Sequence, residues 1–150
     1  MPKPLLRAEG IICSHEFTRF LVQCDTEESF YRFPGGSIEF GETASEAIIR
    51  ELIEEFDLTV SVGDLALINE SIIEYDGKQR HDCTLLHWCK LNTESDLVQF
   101  KLHKECEGIK LIWKTIDELR IKPLYPEGIF EILEMKKTTE RHHTIIRKTY

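Results

Sequence analysis

Residues 35–58 bring two adjacent glycines, Gly35 and Gly36, together with an Arg50-Glu51 pair and a Glu54-Glu55 pair. Carboxylates crowded onto one short segment repel one another, and a chain that keeps them gains when a cation sits between them. Ligands made only of oxygen suit Mg²⁺ or Mn²⁺ rather than zinc. Such a site can hydrolyse a diphosphate. Cations on the phosphate oxygens neutralise charge at phosphorus, and a bound water becomes acidic enough to attack.

The carboxylates need a rigid element to hold them, and the spacing predicts a helix. Thr43 with Glu46 forms a Thr-x-x-Glu capping box, and a helical pattern continues to about Phe56. At about 100° per residue, Ile48, Leu52, Phe56, Ile49 and Ile53 share a predicted core arc. Glu51, Glu54 and Glu55 fall on another arc, with Ala44 and Ala47 as its small floor. A solvated structural helix would interleave lysine to gain i,i+4 pairs; this one has only Arg50.

These residues resemble the signature of the Nudix hydrolase family. Gly36, Glu42, Arg50, Glu51, Leu52, Glu54, Glu55 and Leu58 stand at the family's offsets, and Asp57 replaces the glycine that ends the helix. Aspartate tolerates positive φ better than most residues, so the departure bears on local stability more than on chemistry. Phe33-Pro34 leading in, and Trp113 followed by Asp117-Glu118-Leu119, resemble the family's flanks. The resemblance implies that the Gly35 carbonyl, Glu51 and Glu55 are metal ligands and that Glu54 binds directly or through water. It implies that Arg50 and Glu42 pair to brace loop and helix. It also implies a catalytic base in a loop before a late strand, where Glu107 is preferred over Glu105, with Glu51 as the alternative within the helix. Tyr75 resembles the mark of hydrolases of dinucleoside polyphosphates, while the position that is proline in ADP-ribose hydrolases holds Ile73. Phe33, Tyr31 and Trp88 could stack a base, and a core role is favoured for each.

The chain of 150 residues is long enough for one domain with a full core. Its formal charge of −8 disfavours DNA, and no apolar run approaches a membrane span. Five cysteines without a Cys-x-x-Cys pair, and no signal-peptide core at the N-terminus, are read as reduced thiols in a cytoplasmic protein. The one compositional shift is a basic tail over residues 136–150, read as a frayed terminus or stray edge strand rather than a partner for acidic surface, a second subunit or substrate phosphate. A homodimer is left open.

Strands are expected at Leu6–Ser14, Phe17–Cys24, Ser29–Phe33, Leu58–Val62, Leu65–Glu74, His81–Leu91 and Ile109–Trp113, with a hairpin turn at Asp76-Gly77. A second helix is expected over Pro126–Lys136. The pattern is α+β, and the resemblance implies an α/β/α sandwich with a mixed β-sheet between helices. The expected activity is Mg²⁺-dependent cleavage of a nucleoside diphosphate linked to another moiety: a nucleotide sugar, a dinucleoside polyphosphate or a nucleoside triphosphate. The alternative is a catalytically inactive nucleotide-sensing domain of the same fold.

Overall fold

The computed structural model describes residues 3–92, 100–135 and 141–150. Ten strands run in chain order as β1 (Leu5–Cys13), β2 (Arg19–Asp25), β3 (Tyr31–Arg32), β4 (Gly35–Ser37), β5 (Val60–Tyr75), β6 (Lys78–Leu91), β7 (Phe100–Leu102), β8 (Ile109–Thr115), β9 (Leu124–Tyr125) and β10 (His142–Thr149). Helices α1 (Ala44–Phe56), α2 (Ile116–Leu119) and α3 (Phe130–Glu134) complete the fold. The sheet follows the order β10-β5-β6-β1-β2-β3-β9, with β4 also on β1, β8 on β2 and β7 on β8. It is mixed: β1 with β6, β5 with β10 and β3 with β9 are parallel, and the other pairs antiparallel.

Burial on both faces explains why β1 is almost continuously apolar after Glu9. Ala8 and Ile12 pack with Ile48, Leu52 and Phe56 of α1, while Ile11 and Cys13 pack with Trp88, Ile132 and Leu133 on the α3 side. The α/β/α sandwich is therefore the observed architecture.

Several boundaries differ from those the sequence suggests. The strands expected at Leu58–Val62 and Leu65–Glu74 merge into one, β5, which begins at Val60 and whose pairing with β6 shifts register around Leu65. Positive φ at Asp76 (50°) and Gly77 (74°) closes that hairpin. The last helix begins at Phe130 rather than Pro126, because the chain first passes through the positive φ of Gly128 (84°); Met135 is exposed, and Lys136 lies outside the described residues. The described part of the basic tail is an edge strand. β10 lies parallel to β5, His143 meets Glu70, and Lys148 meets Glu127.

The face of α1 also needs correction. Ile49 and Ile53 are 36% and 43% exposed, while Ala47 is fully buried. The core stripe is Ile48, Leu52 and Phe56, at i, i+4 and i+8, and Ile49 and Ile53 sit a further 100° or so round, beyond the reach of the sheet. Ala47 is thus part of the core rather than the floor of an open acidic cup. All five cysteines are thiols, and burial pushes Cys24 up to about 11 and Cys89 up to about 12. Among the described residues no helix is long and apolar enough to cross a membrane.

Candidate active site

Helix α1 is fixed at both ends. At its start, Thr43 accepts from the Glu46 N–H at 3.2 Å and the Glu46 carboxylate accepts from the Thr43 N–H at 3.1 Å. At its end, Asp57 is left-handed (φ 55°, ψ 39°) and donates its N–H to Ile53. Strand β4 lies beside the helix, pairing with β1 so that Glu9 faces Gly35 and Ala8 faces Gly36. A β-carbon on Gly36 would stand 2.4 Å from the Glu51 carboxylate, and one on Gly35 would stand 2.0 Å from the Ala8 carbonyl oxygen. Both positions therefore require glycine, one for the acid and one for the strand.

Arg50 is the hub of the site. Its Nε and Nη2 donate to the two Glu42 oxygens at 2.7 and 2.9 Å, and Nη2 also reaches the Ser37 carbonyl at 3.0 Å. Nη1 lies 3.1 Å from both Glu51 and Glu54. The fork holds Glu42 down to about 2. Glu55 behaves oppositely: burial first, then the adjacent Glu51, pushes it up to about 8. Glu51 and Glu55 have side chains only 14% and 15% exposed, whereas that of Glu54 is 49% exposed.

The three helix carboxylates and β4 are thus brought together as the spacing implied. Among the described residues, no three acidic, histidine or cysteine side chains are gathered closely enough to hold a metal ion as they stand. Arg50 donates to an oxygen of Glu51 and an oxygen of Glu54. The donor set still fits a hard divalent cation. Burial and the neighbouring Glu51 raise the proton affinity of Glu55, and the adjoining glycine strand keeps side chains away from both carboxylates.

The remaining expected residues are more dispersed. Glu105 and Glu107 are exposed in the loop between β7 and β8. That loop docks on α1 through His103, which sequence reasoning missed. The Nε2 of His103 is 3.3 Å from Glu55, its Nδ1 accepts from the Glu105 and Cys106 N–H groups, and Lys104 donates its N–H to the Glu55 carbonyl at 2.7 Å. Phe33 is 1% exposed and belongs to the core, as do Tyr31 and Trp88, so none of the three is free to stack a base. Tyr75 is 64% exposed near the tip of the β5–β6 hairpin, where its ring meets Tyr150.

A cavity of about 480 Å³ opens on the α3 side of the sheet. Its lining includes polar residues from two paired rows, Asn69, Thr84 and Arg7 across β5, β6 and β1, and Ser71 and Asp82 across β5 and β6. Its rim includes Phe30, Arg32, Tyr125 and Pro126. Arg7 and Glu9 carry a signal that sequence reading passed over: two charged residues set two apart in an otherwise apolar strand.

Comparison with known proteins agrees with this geometry. The NUDIX domain model matches residues 4–134. The 8-oxo-dGTP diphosphatase of Escherichia coli (strain K12) is 43% identical over 89 residues, covering 57% of this chain and 65% of that protein. The 8-oxo-dGTP diphosphatase of Proteus vulgaris is 37% identical over 62 residues, covering 39% of this chain and 55% of that protein. The matched region thus spans less than two thirds of each of these relatives. A crystal structure of a NUDIX hydrolase from Nitrosomonas europaea has a TM-score of 0.71 at 17% identity, covering 99% of this chain and 81% of that one. Because the family match takes in the whole signature and nearly every element of the sandwich, the chain belongs to the Nudix family.

Proposed function

We propose that this protein is a hydrolase dependent on Mg²⁺ or Mn²⁺. It cleaves the diphosphate linkage of a nucleoside diphosphate joined to another moiety and releases a nucleoside monophosphate. The observation that carries this reading is the crowded pair Glu51 and Glu55, half-dry and set against the glycine strand β4. The names of the two curated relatives bring nucleoside triphosphates into the substrate set beside nucleotide sugars and dinucleoside polyphosphates.

Glu51, Glu54 and Glu55, with the Gly35 carbonyl, would hold the cation, which when bound neutralises phosphate charge and acidifies a water. Arg50 and Glu42 fix the loop that carries Gly36 against the helix, so the ligands keep their spacing as charge shifts during the reaction. The proton of the attacking water goes to a carboxylate, either Glu107 in the docked loop or Glu51 on the helix. The cavity takes the nucleoside. The thiol state of the cysteines supports a reducing, cytoplasmic setting.

The test is a panel of nucleoside triphosphates, nucleotide sugars and dinucleoside polyphosphates, assayed with Mg²⁺ and with Mn²⁺ in ¹⁸O-water. Label should enter a phosphate product in a single turnover, and its position identifies the phosphorus attacked. Trapping of a phosphorylated or nucleotidylated enzyme, or net retention of configuration at the attacked phosphorus, would point to a covalent enzyme intermediate and overturn the mechanism. If Mg²⁺ raises the Tm of wild type but not of Glu55→Gln, and nothing in the panel is turned over, the reading gives way to a nucleotide sensor.

A further inference from the structure

The cavity and the carboxylate helix are joined by three side chains outside the family signature: Arg7 and Glu9 on β1, and Arg32 on β3. All three line the cavity. Alternation along the strand puts Arg7 and Glu9 on one face. Glu9 stands opposite Gly35, and Arg7 opposite Ser37, so this wall of the cavity is also the back of the glycine strand.

Glu9 is 6% exposed, and its Oε2 lies 3.8 Å from an Nη2 of Arg7 on one side and of Arg32 on the other. That distance is too long for a hydrogen bond, so the carboxylate holds both guanidiniums by charge alone. Burial pushes Glu9 up and the two arginines pull it back. The third cation of the cavity, Arg80, differs: its Nε donates to Asp82 at 2.7 Å. Arg7 and Arg32 therefore have hydrogen-bonding capacity to offer a ligand, at the one wall shared by the cavity and the acidic site.

An overall charge of −8 opposes the approach of a polyanionic substrate, and a pair of arginines in the cavity offsets it locally. We propose that Arg7 and Arg32 form a phosphate clamp, which binds a phosphate of the nucleotide at the cavity wall that backs β4 and directs the nucleoside into the cavity and the scissile linkage toward Glu51 and Glu55. Glu9 is the resident counter-charge that keeps both guanidiniums in place before the substrate arrives. The exchange is favourable, because long contacts to one carboxylate give way to charge-assisted, forked hydrogen bonds to phosphate oxygens. The inference rests on the nucleotide reading above and assigns the residues that position its phosphate.

The experiment measures binding without turnover. Isothermal titration in excess chelator compares each of the four common ribonucleoside monophosphates with its own nucleoside. Wild type should bind the best monophosphate at least about tenfold more tightly than its nucleoside. Arg7→Gln and Arg32→Gln should each lose most of that increment and keep the nucleoside's own affinity. Arg7→Lys and Arg32→Lys, which keep charge without the fork, should retain part of it. Glu9→Gln, which removes the counter-charge that positions both guanidiniums, should lose less of the increment than either arginine-to-glutamine variant. Wild type that binds monophosphate no better than nucleoside would overturn the clamp, as would an undiminished increment in both glutamine variants or an equal loss for nucleoside and monophosphate. Hydrolysis by wild type is scored separately: turnover with no phosphate increment removes the clamp alone, and an increment with no turnover removes the hydrolase alone.

Discussion

Arg50 and Glu42, eight positions apart, are joined by two near-parallel hydrogen bonds of 2.7 and 2.9 Å, and the same guanidinium reaches the Ser37 carbonyl on β4. One side chain thus ties the loop, the glycine strand and the helix. Lysine at position 50 would keep the charge and lose the fork. Arg50→Lys should lower turnover by about 10–100-fold, as for other groups that orient metal ligands, and should shrink the Tm rise given by Mg²⁺. Wild-type turnover in this variant would show that the tie is incidental.

The two glycines of β4 should respond differently to the same substitution. In Gly36→Ala the new carbon meets the Glu51 carboxylate, the end of a flexible side chain. The acid can swing away, so stability should change by no more than about 1 kcal/mol while turnover collapses. In Gly35→Ala the carbon meets the Ala8 backbone, which cannot move without unpairing β4 from β1, and the cost should be roughly 2 kcal/mol or more. Urea titrations and steady-state rates on the pair check both statements. Similar stabilities for the two variants would contradict the geometry.

Helix α1 was legible because both its caps and its acids are local. Thr43 and Glu46 form the capping box that their spacing implies, and Glu51, Glu54 and Glu55 follow from helical period alone. What escaped the sequence is non-local. His103 reaches Glu55 only after β7 and β8 pair, and Arg32 meets Glu9 only once β3 and β1 share a sheet. The exposure of Ile49 was misjudged for the same reason: a helical wheel fixes the period but not how wide a stripe the sheet covers. Phe33, one position before Pro34, reads as a core ring with a stacking role left open, and packing decides for the core.

Asp57 takes the left-handed cap position of α1, a conformation that glycine adopts without strain. A residue with a β-carbon is strained there, and a negative charge opposes the negative end of the helix dipole. Asp57→Gly should therefore stabilise the fold by about 0.5–1 kcal/mol after the extra chain entropy of glycine is subtracted, with turnover unchanged. A destabilised Asp57→Gly protein would mean that the aspartate makes a compensating contact.

Glu28 accepts from Lys114 at 2.7 Å, from the Tyr31 hydroxyl at 3.0 Å and from Lys110 at 3.3 Å. The Lys114 hydrogen bond leads in holding its carboxyl down at about 2, against some cost of burial. Its folded value lies below its unfolded value of 4.5, so its contribution is present above about 4.5 and is lost as the pH falls toward about 2. Glu28→Gln should cost about 1 kcal/mol at pH 7, as a partly exposed ion pair does, and the difference from wild type should shrink steadily between pH 4.5 and pH 3. Urea denaturation across that range measures it; a difference independent of pH would assign the effect to packing.

His103 stands where the loop that carries Glu105 and Glu107 meets the end of α1. Because Nδ1 accepts from two backbone N–H groups, the ring proton sits on Nε2, which faces Glu55 Oε2 at 3.3 Å. The ring edge packs on Phe56 with centroids 5.1 Å apart. The two nitrogens therefore have separable tasks, one folding the loop and the other steadying a carboxylate. Asparagine can place its oxygen near Nδ1 but reaches no further, so His103→Asn should keep the Glu105 and Cys106 amides slow in hydrogen exchange while lowering kcat. Glutamine can place its amide nitrogen near Nε2 but not its oxygen near Nδ1, so His103→Gln should let those amides exchange faster and keep more of kcat than asparagine does. The loss in kcat for His103→Asn should be about 10-fold or more, with little change in KM, since the group acts on a metal-binding carboxylate rather than on the bound nucleotide. Equal exchange and equal kcat in the two variants would show that the ring acts as a unit and that its contact with Glu55 has no separate role.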